Sequence, residues 1–355
     1  MESREENGHD AHRTARSSGV PSTPSLDDSA ANAIGAMRMP DFGYPWTGAC
    51  SPHAATIESR MRKWAEHGGL IYDEHGRDHL ARGKFAWLPA RAHPHANIER
   101  LQILANYYVW YHLVDDYHVD HAKTDALQAI AGLTALLDVL DLDRIGPRPV
   151  YGETAWAELC QQLKRHMPAD QFERFTHGMR MWIGASALQL LEQNQPRSID
   201  LHQYETIRRH GSGVFAAFDL ILFAHDIPLS PDEYHRPDMR ELRLHGNNIV
   251  SWSNDVHSFV QELRESKQHK NMVVMYCHQG HSLQASIDLT AERVRAEIQA
   301  FVQTAASARR HASSALLDYI DGIELWLTGY QTWIDKDTRR HGSKLARPAV
   351  AMPAY

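Results

Sequence analysis

The chain has 355 residues, of which 43% are hydrophobic and 23% are charged, an ordinary composition for a globular protein. Its formal net charge of -7, with acidic and basic residues interleaved, excludes a broad basic face, so we expect no nucleic-acid partner. Three widely spaced cysteines and the lack of any run of about 18 apolar residues predict a cytoplasmic protein that does not insert into membranes.

The two ends of the chain differ in composition from the rest. Residues 1–40 are rich in Ser, Ala, Asp, Glu and Pro and carry few apolar groups to bury, which predicts a disordered tail. From about Met39 apolar and charged residues mix with helical spacing, and this continues until a C-terminal stretch, 346–355, predicted as a flexible tail. The simpler interpretation is one domain, 41–345.

Eight segments carry apolar residues at three- and four-residue steps, whereas the alternation typical of strands is scarce. Pro, Gly and Asn/Asp clusters separate the segments, as expected of helix-to-helix connections. Residues 215–224 are apolar over most of a helical circumference, which predicts a helix inside a bundle. The sequence therefore predicts an all-α fold. The predicted helices are 96–117, 123–141, 154–165, 170–194, 202–225, 238–265, 281–308 and 312–334.

A first candidate site lies where an aromatic, apolar helix ends in three acids. Asp115 and Asp116 are adjacent, and Asp120 follows four residues later. A solvated helix end is the ordinary interpretation of such a pair, because neighbouring carboxylates repel each other and disfavour a helix C-terminus. Mg²⁺ removes this repulsion, since it binds carboxylates together with water and phosphate oxygens. The acids are therefore candidate metal ligands.

A second candidate site lies in the predicted helix 238–265. Asn254, Ser258 and Glu262 are four residues apart, so they share one helix face with about 6 Å of rise per step. An amide oxygen, a hydroxyl and a carboxylate then line one stripe. A solvent-facing stripe is the alternative, but it does not explain why this stripe follows the apolar and aromatic turn 249–252 directly.

In this order the two motifs resemble the paired metal-binding motifs of microbial class I terpene synthases. The first has the form DDxxxD, and the second has the family's Asn, Ser and Glu spacing. The resemblance implies a single-domain helical bundle around a central cavity that holds three Mg²⁺ ions, or Mn²⁺. It also implies the metal ligands Asp115, Asp116, Asn254, Ser258 and Glu262.

The chain departs from the family pattern at two places within these motifs. Val119 stands where the shorter form, DDxxD, has its last acid, which leaves the role of Asp120 open. Gln261 stands where the family usually has Lys or Arg, which leaves one diphosphate contact open.

Residues 204–213 are similar to the family's diphosphate-sensing segment, in which a helix breaks beside the cavity. The resemblance implies that Arg209 is the catalytic, diphosphate-binding arginine, ahead of Arg208. Ser212 and Gly213 take the linker and effector positions. A guanidinium suits this task because it stays charged and can bond two phosphate oxygens at once.

The C-terminal segment resembles the last helix of the family. Trp326, Gly329 and Trp333 have its spacing, and Arg339 matches the arginine of an Arg-Tyr pair. Arg340 stands where the tyrosine is usual. Both arginines are therefore predicted to bind diphosphate, and Asp115 is predicted to be catalytic through its metal.

The family's activity implies an enzyme that ionises a linear prenyl diphosphate, here farnesyl diphosphate, and releases diphosphate. The carbocation then cyclises or rearranges to a terpene hydrocarbon or alcohol. Such a cation needs a dry cavity, and aromatic faces stabilise it through their quadrupoles. Aromatic residues near the motifs are candidates for the cavity wall, although a plain core position is the commoner role for any one of them. They are Phe85, Tyr108, Tyr111, Phe215, Phe218, Trp252 and Trp326.

Two other functions stay open at the level of the sequence. A chain-elongating prenyl transferase shares the fold and the Mg²⁺ dependence, but it normally carries two aspartate-rich motifs. A non-catalytic prenyl-diphosphate-binding helical protein is conceivable because of Gln261 and the missing tyrosine at position 340. A homodimer is compatible with any of the three.

Overall fold

The structure is a computed structural model that describes residues 37–120, 126–193, 199–265 and 271–340. Within these ranges the side chains of residues 120, 126, 127, 193 and 261–265 are not described. The predicted C-terminal tail and residues 1–36 of the predicted N-terminal tail lie outside the described residues. All regular elements of the described ranges are helical, which confirms the predicted all-α fold.

The predicted segments all lie on helices, but one of them is divided and five further helices are present. The segment 202–225 is two helices separated at Ser212 and Gly213. Three helices between residues 54 and 92 and the short helices Pro231–Tyr234 and Met272–His278 were not predicted. In chain order the helices are α1 Ala54–His67, α2 Glu74–Gly83, α3 Trp87–Ala92, α4 Ile98–Asp115, α5 Ala126–Leu142, α6 Glu153–His166, α7 Ala169–Gln193, α8 Leu201–Gly211, α9 Val214–His225, α10 Pro231–Tyr234, α11 Pro237–Glu265, α12 Met272–His278, α13 Leu283–Arg309 and α14 Ser314–Thr332.

Two helices that carry the candidate motifs end in π-helical turns. Helix α4 continues into Asp116–Asp120, and α14 continues into Trp333–Asp337. Such turns are often found at functional sites. Here they redirect the chain at both the acidic motif and the approach to Arg340.

Side chains cap the starts of several helices and so determine where these helices begin. The Asp200 carboxylate accepts a hydrogen bond from Gln203 N at the start of α8, and the Gln203 side chain accepts one from Asp200 N. Ser313 Oγ accepts a hydrogen bond from Leu316 N at the start of α14. A cap of this kind stabilises a helix by roughly 1 kcal/mol. These caps set the register of the helices that carry Arg208 and Trp326.

Helix α9 lies at the centre of the bundle, in contact with α4, α7, α11 and α14. Its residues Ala216 to Ala224 are buried, including Phe218 and Leu220, which are fully buried. This agrees with the apolar circumference seen in the sequence. The helices that carry the two candidate metal motifs, α4 and α11, therefore both pack against α9. No described helix combines the length and apolar character needed to cross a membrane.

The segment before α1 packs against the bundle. Met39 and Phe42 are buried, and Trp46 meets the Phe301 ring edge-on at 5.3 Å between centroids. Arg295 Nε on α13 donates a hydrogen bond to Asp41 O at 3.1 Å. The described fold therefore includes residues 37–40, which the sequence analysis had assigned to the tail.

Gly329 allows α14 to pack directly on the backbone of α3. A Cβ at this position would lie 2.6 Å from Ala92 N and from the carbonyl carbon of Arg91, which are backbone atoms that cannot rotate away. Gly184 on α7 offers the opposite situation, because a Cβ there would meet no described atom within 4 Å.

We expect Gly329→Ala to lower the free energy of unfolding by about 1–3 kcal/mol, because the added methyl group forces α3 and α14 apart. The matched variant Gly184→Ala should raise it by about 0.5–1 kcal/mol, since alanine is the better residue inside an exposed helix. Urea unfolding followed by circular dichroism measures both. Equal changes in the two variants would contradict the close approach of α3 and α14.

Candidate active site

The acidic motif lies at the junction of α4 and its π-helical turn. Asp115 ends α4, and Asp116 begins the turn. Asp116 Oδ1 accepts a hydrogen bond from Arg340, and His79 Nε2 lies 3.4 Å from its Oδ2. The side chain of Asp120 is outside the described residues. The C-terminal arginine is thus paired directly with the first motif.

His112 lies one turn before the acidic motif and is neutral. Burial and, to a smaller extent, the positive charge of Arg340 lower the pKa of His112 to about 3. Its Nδ1 hydrogen-bonds to Tyr108 O at 2.7 Å. This histidine therefore adds no positive charge that would compete with a cation at Asp115 and Asp116.

The second motif lies on the inner face of α11. Ser258 is only 4% exposed, and Asn254 is half-buried. Asn271 Nδ2, at the start of α12, lies 3.4 Å from Ser258 Oγ and donates to it. Glu262 belongs to the same helix, but its side chain is outside the described residues. The stripe formed by Asn254 and Ser258 does not face bulk solvent.

Asp255 joins three helices next to this stripe. Its side chain is 1% exposed and accepts hydrogen bonds from Tyr204 OH, from Arg208 Nε at 3.1 Å and from Met272 N at 3.1 Å. Burial raises the pKa of Asp255, while the charge of Arg208 lowers it. The ion pair with Arg208 therefore compensates a charge that is costly to bury.

Arg208 is brought to the second motif by this pair. Its Nη2 donates a hydrogen bond to Asn254 Oδ1 at 2.7 Å. The resemblance ranks Arg208 behind Arg209 and implies no role for Asp255. The signal that could have found them is the four-residue step from Tyr204 to Arg208, which directs two donors to one acid on α11.

Arg209 lies beside this network and is not part of it. Its Nε is buried and has no hydrogen-bond partner among the described residues. Its carbonyl oxygen accepts a hydrogen bond from Asn247 Nδ2 at 2.8 Å, and that amide also lies 3.2 Å from Ser212 Oγ. The backbone of Arg209 is thus held by α11, while its guanidinium retains bonding capacity.

The break between α8 and α9 requires glycine at position 213. Gly213 has a φ of 67°, and a Cβ there would lie 2.5 Å from Tyr111 OH. The Tyr111 hydroxyl donates to Gly211 O at 3.4 Å and so bridges α4 to the break. A helix break is therefore present at Ser212 and Gly213, in contact with Tyr111 of α4.

At the C-terminal end only one of the two predicted arginines reaches the acidic motif. Arg340 contacts Asp116, whereas Arg339 is exposed and its backbone N donates to Arg82 O at 2.9 Å. The structure thus brings Arg340, but not Arg339, to the first motif.

Aromatic side chains from three helices form a connected wall. Trp326 Nε1 on α14 donates to Tyr108 OH on α4 at 2.8 Å. The Phe218 ring on α9 meets the Trp326 ring edge-on at 5.5 Å. Tyr330, which was not predicted, is parallel to Trp326 with 5.8 Å between ring centroids. This wall contains three of the seven predicted aromatics.

The other predicted aromatics are distributed around the site. Phe85 packs on His112 at 4.8 Å, and Tyr111 packs on Trp182 at 5.1 Å. Phe215 lies 5.7 Å from the ring of His210, near the helix break.

Trp252 is the exception among the predicted aromatics. It lies on the α13 side of α11, with the Arg293 guanidinium 4.4 Å from its ring centre. The structure does not bring it to the stripe of Asn254 and Ser258, because a two-residue step turns a helix by about 200°. The prediction of a cavity position was therefore based on proximity in sequence alone.

The two motifs converge on Tyr330. Burial raises the pKa of Tyr330, and Asn254, Arg208 and Arg340 are close enough to lower it. Arg208 belongs to the second motif's network, and Arg340 is paired with Asp116 of the first. Each motif thus has an oxygen donor paired with a guanidinium group, and both guanidinium charges act on Tyr330. This donor set suits a hard divalent cation and a phosphate group.

Residues 106–300 match the family model described as "Terpene synthase family 2, C-terminal metal binding". The chain belongs to this terpene synthase family. It is 42% identical over 313 residues to a sesquiterpene synthase of Metarhizium brunneum, covering 88% of this chain and 92% of the relative. This confirms the predicted family and enzyme class.

Two further comparisons agree with the family and the fold. A corvol ether synthase of Kitasatospora setae is 42% identical over 303 residues, covering 85% of this terpene synthase and 95% of the relative. The structure of a linalool/nerolidol synthase from Streptomyces clavuligerus superposes with a TM-score of 0.75 at 19% identity, covering 83% of this chain and all of that one. The latter supports the fold only.

We expect Arg208→Gln to lower the free energy of unfolding by about 3 kcal/mol, because it leaves the buried Asp255 carboxylate without its counter-charge. Arg209→Gln should change it by less than about 1 kcal/mol, since that guanidinium has no described partner to lose. Urea unfolding of both variants without ligand measures the difference. A greater loss in Arg209→Gln would show that the Arg208 pair does not hold α8 to α11.

Proposed function

We propose that this terpene synthase uses Mg²⁺ to ionise farnesyl diphosphate, and that it cyclises or rearranges the cation to a sesquiterpene hydrocarbon or alcohol. The observation that carries the proposal is the convergence of both oxygen-rich motifs and two arginines on Tyr330. The names of the relatives support the substrate, since the corvol ether synthase is described as cyclizing (2E,6E)-farnesyl diphosphate. By resemblance we propose three Mg²⁺ ions.

The candidate ligands fit this ion by their chemistry. Asp115 and Asp116 offer carboxylates, Asn254 an amide oxygen and Ser258 a hydroxyl, all of which are oxygen donors. When bound, Mg²⁺ would stabilise the negative charge that develops on the diphosphate as the carbon–oxygen bond breaks. The protein itself supplies positive charge from Arg208 and Arg340, placed on the two sides of the site.

The two adjacent arginines on α8 are proposed to act differently. Arg208 is held by Asp255 and Asn254, so its positive charge is already fixed beside the candidate metal ligand Asn254 and needs no reorganisation to stabilise an anion there. Arg209 retains a buried, unpartnered Nε and remains a candidate diphosphate ligand. Both contacts precede the carbocation, so they affect ionisation and not the distribution of products.

The aromatic wall is proposed to face the carbocation. Tyr108, Phe218 and Trp326 are buried and locked to one another, which excludes water that would quench the cation. Each aromatic face can stabilise a nearby cation by about 0.5–2 kcal/mol. A cyclase is favoured over a chain-elongating prenyl transferase because Asn254 and Ser258 replace a second aspartate-rich motif on α11.

Incubation of the protein with C10, C15 and C20 prenyl diphosphates and Mg²⁺ tests the function directly. We expect farnesyl diphosphate to give volatile C15 products, detected by gas chromatography and mass spectrometry, together with one diphosphate per turnover. Addition of isopentenyl diphosphate should produce no longer chains. Elongated products, or substrate binding without turnover, would instead support the prenyl transferase or the non-catalytic alternative.

We expect Asp115→Ala to reduce turnover by at least about 100-fold, because the loss of a metal-binding carboxylate removes several kcal/mol of charge stabilisation. Asp116→Ala should be milder, since Asp116 is already paired with Arg340. Diphosphate release measures turnover, and circular dichroism shows whether each variant is folded. Near-normal release by a folded Asp115→Ala variant would refute the assignment.

We expect Ser258→Ala and Asn254→Ala to raise the Mg²⁺ concentration that gives half-maximal activity, because each removes one oxygen ligand. Ser253→Ala, on another face of α11, serves as the control. Mg²⁺ titrations of diphosphate release compare the three variants. Curves that overlay that of the unmodified enzyme would mean that the stripe binds no metal.

A further inference from the structure

Tyr330 is a buried phenol whose hydroxyl makes no hydrogen bond of normal geometry to a described residue. It lies on α14 and is 6% exposed, and the side chain of Asn254 is close enough to act as a weak hydrogen-bond partner of its hydroxyl. Its ring is held by Trp326, parallel at 5.8 Å, and by Trp333 at 6.1 Å. Buried hydroxyl groups normally have a partner, because burying one without a hydrogen bond is unfavourable. The ring is fixed, so the hydroxyl cannot swing out to reach water.

The surroundings of this hydroxyl show which kind of partner it would accept. It lies beside the Asn254 side chain, close to the charges of Arg208 and Arg340. Asp255 on α11, whose charge also acts on this hydroxyl, already accepts three hydrogen bonds and is not available. A donor on which two guanidinium charges act is suited to an anion with several acceptor oxygens.

We propose that Tyr330 is a diphosphate-binding residue, whose hydroxyl donates a hydrogen bond to an oxygen of the substrate's diphosphate. This inference rests on the proposed function. The diphosphate would bridge the two halves of the site, with Arg208 on one side, Arg340 on the other and Tyr330 between them. No protein group needs to move to make the contact, since both tryptophans already position the ring.

Tyr330→Phe tests the role of the hydroxyl, because it removes one oxygen and keeps the ring between its tryptophans. Tyr319→Phe is the matched control on the same helix. Tyr319 is also fully buried, and its hydroxyl also makes no hydrogen bond of normal geometry, with Arg243 as its neighbouring polar side chain. It lies about 16 Å from Tyr330 towards the N-terminus of α14, near Arg243 and away from both motifs.

The first measurement is the binding of inorganic diphosphate in the presence of Mg²⁺. Thermal shift and isothermal titration calorimetry detect this binding. We expect Tyr330→Phe to weaken diphosphate binding by about 10-fold or more, the effect of a lost hydrogen bond to a charged group. Without ligand its melting temperature should be equal to or above that of the parent, since an unsatisfied buried hydroxyl has been removed. Tyr319→Phe should bind diphosphate as the parent does.

The second measurement is kcat/KM for farnesyl diphosphate, which should fall by a similar factor in Tyr330→Phe while the ratio of products stays the same. Parent-like diphosphate affinity in Tyr330→Phe would overturn the inference and leave only a packing role for the ring. A clear drop in melting temperature without ligand would also overturn it, because the hydroxyl would then have a partner within the protein. If the parent itself binds no diphosphate, the proposed function fails and this inference falls with it.

Discussion

The candidate site depends on the burial of one charge, the carboxylate of Asp255. A buried carboxylate is stable only when it is surrounded by donors, and Asp255 obtains them from α8 and from the start of α12. The requirement ties three helices together at the level of Asn254 and Ser258. The same ion pair holds Arg208 in place. One interaction therefore both fixes the position of α8 against α11 and places a positive charge beside Asn254 and Ser258.

The other half of the site is closed by the C-terminal segment. Gly329 allows α14 to approach the backbone of α3, and the π-helical turn that follows carries Asp337 to a hydrogen-bonded ion pair with Arg91. Only after these contacts does the chain reach Arg340, which pairs with Asp116. The charge at the acidic motif therefore depends on packing some distance from it, and Tyr330 lies on the same helix between the two halves.

The arrangement separates charge from apolar surface. Asp115, Asp116, Arg208 and Arg340 lie at helix ends or next to helix breaks, whereas Tyr108, Phe218 and Trp326 lie within the helices and pack on one another. Helix ends leave backbone groups and side chains free to meet polar ligands, while the interior of a bundle excludes water. A reaction that begins with release of an anion and continues through a carbocation needs both environments in contact.

Local sequence determined much of this protein. Apolar periodicity was sufficient for the all-α fold, and the four-residue spacing of Asn254 and Ser258 was sufficient to place both on one helix face, because helical geometry is independent of the partner. Only the tertiary structure shows that Arg208, and not Arg209, pairs with Asp255, and that Arg340, and not Arg339, pairs with Asp116. Adjacent helix residues point about 100° apart, and their neighbours choose which one meets an acid. The tertiary structure also determines the position of Trp252, which packs under Arg293. It likewise brings Tyr330 close to Asn254, although the two residues are 76 positions apart in the sequence. Contacts over such separations depend on how helices pack, and no local pattern records that.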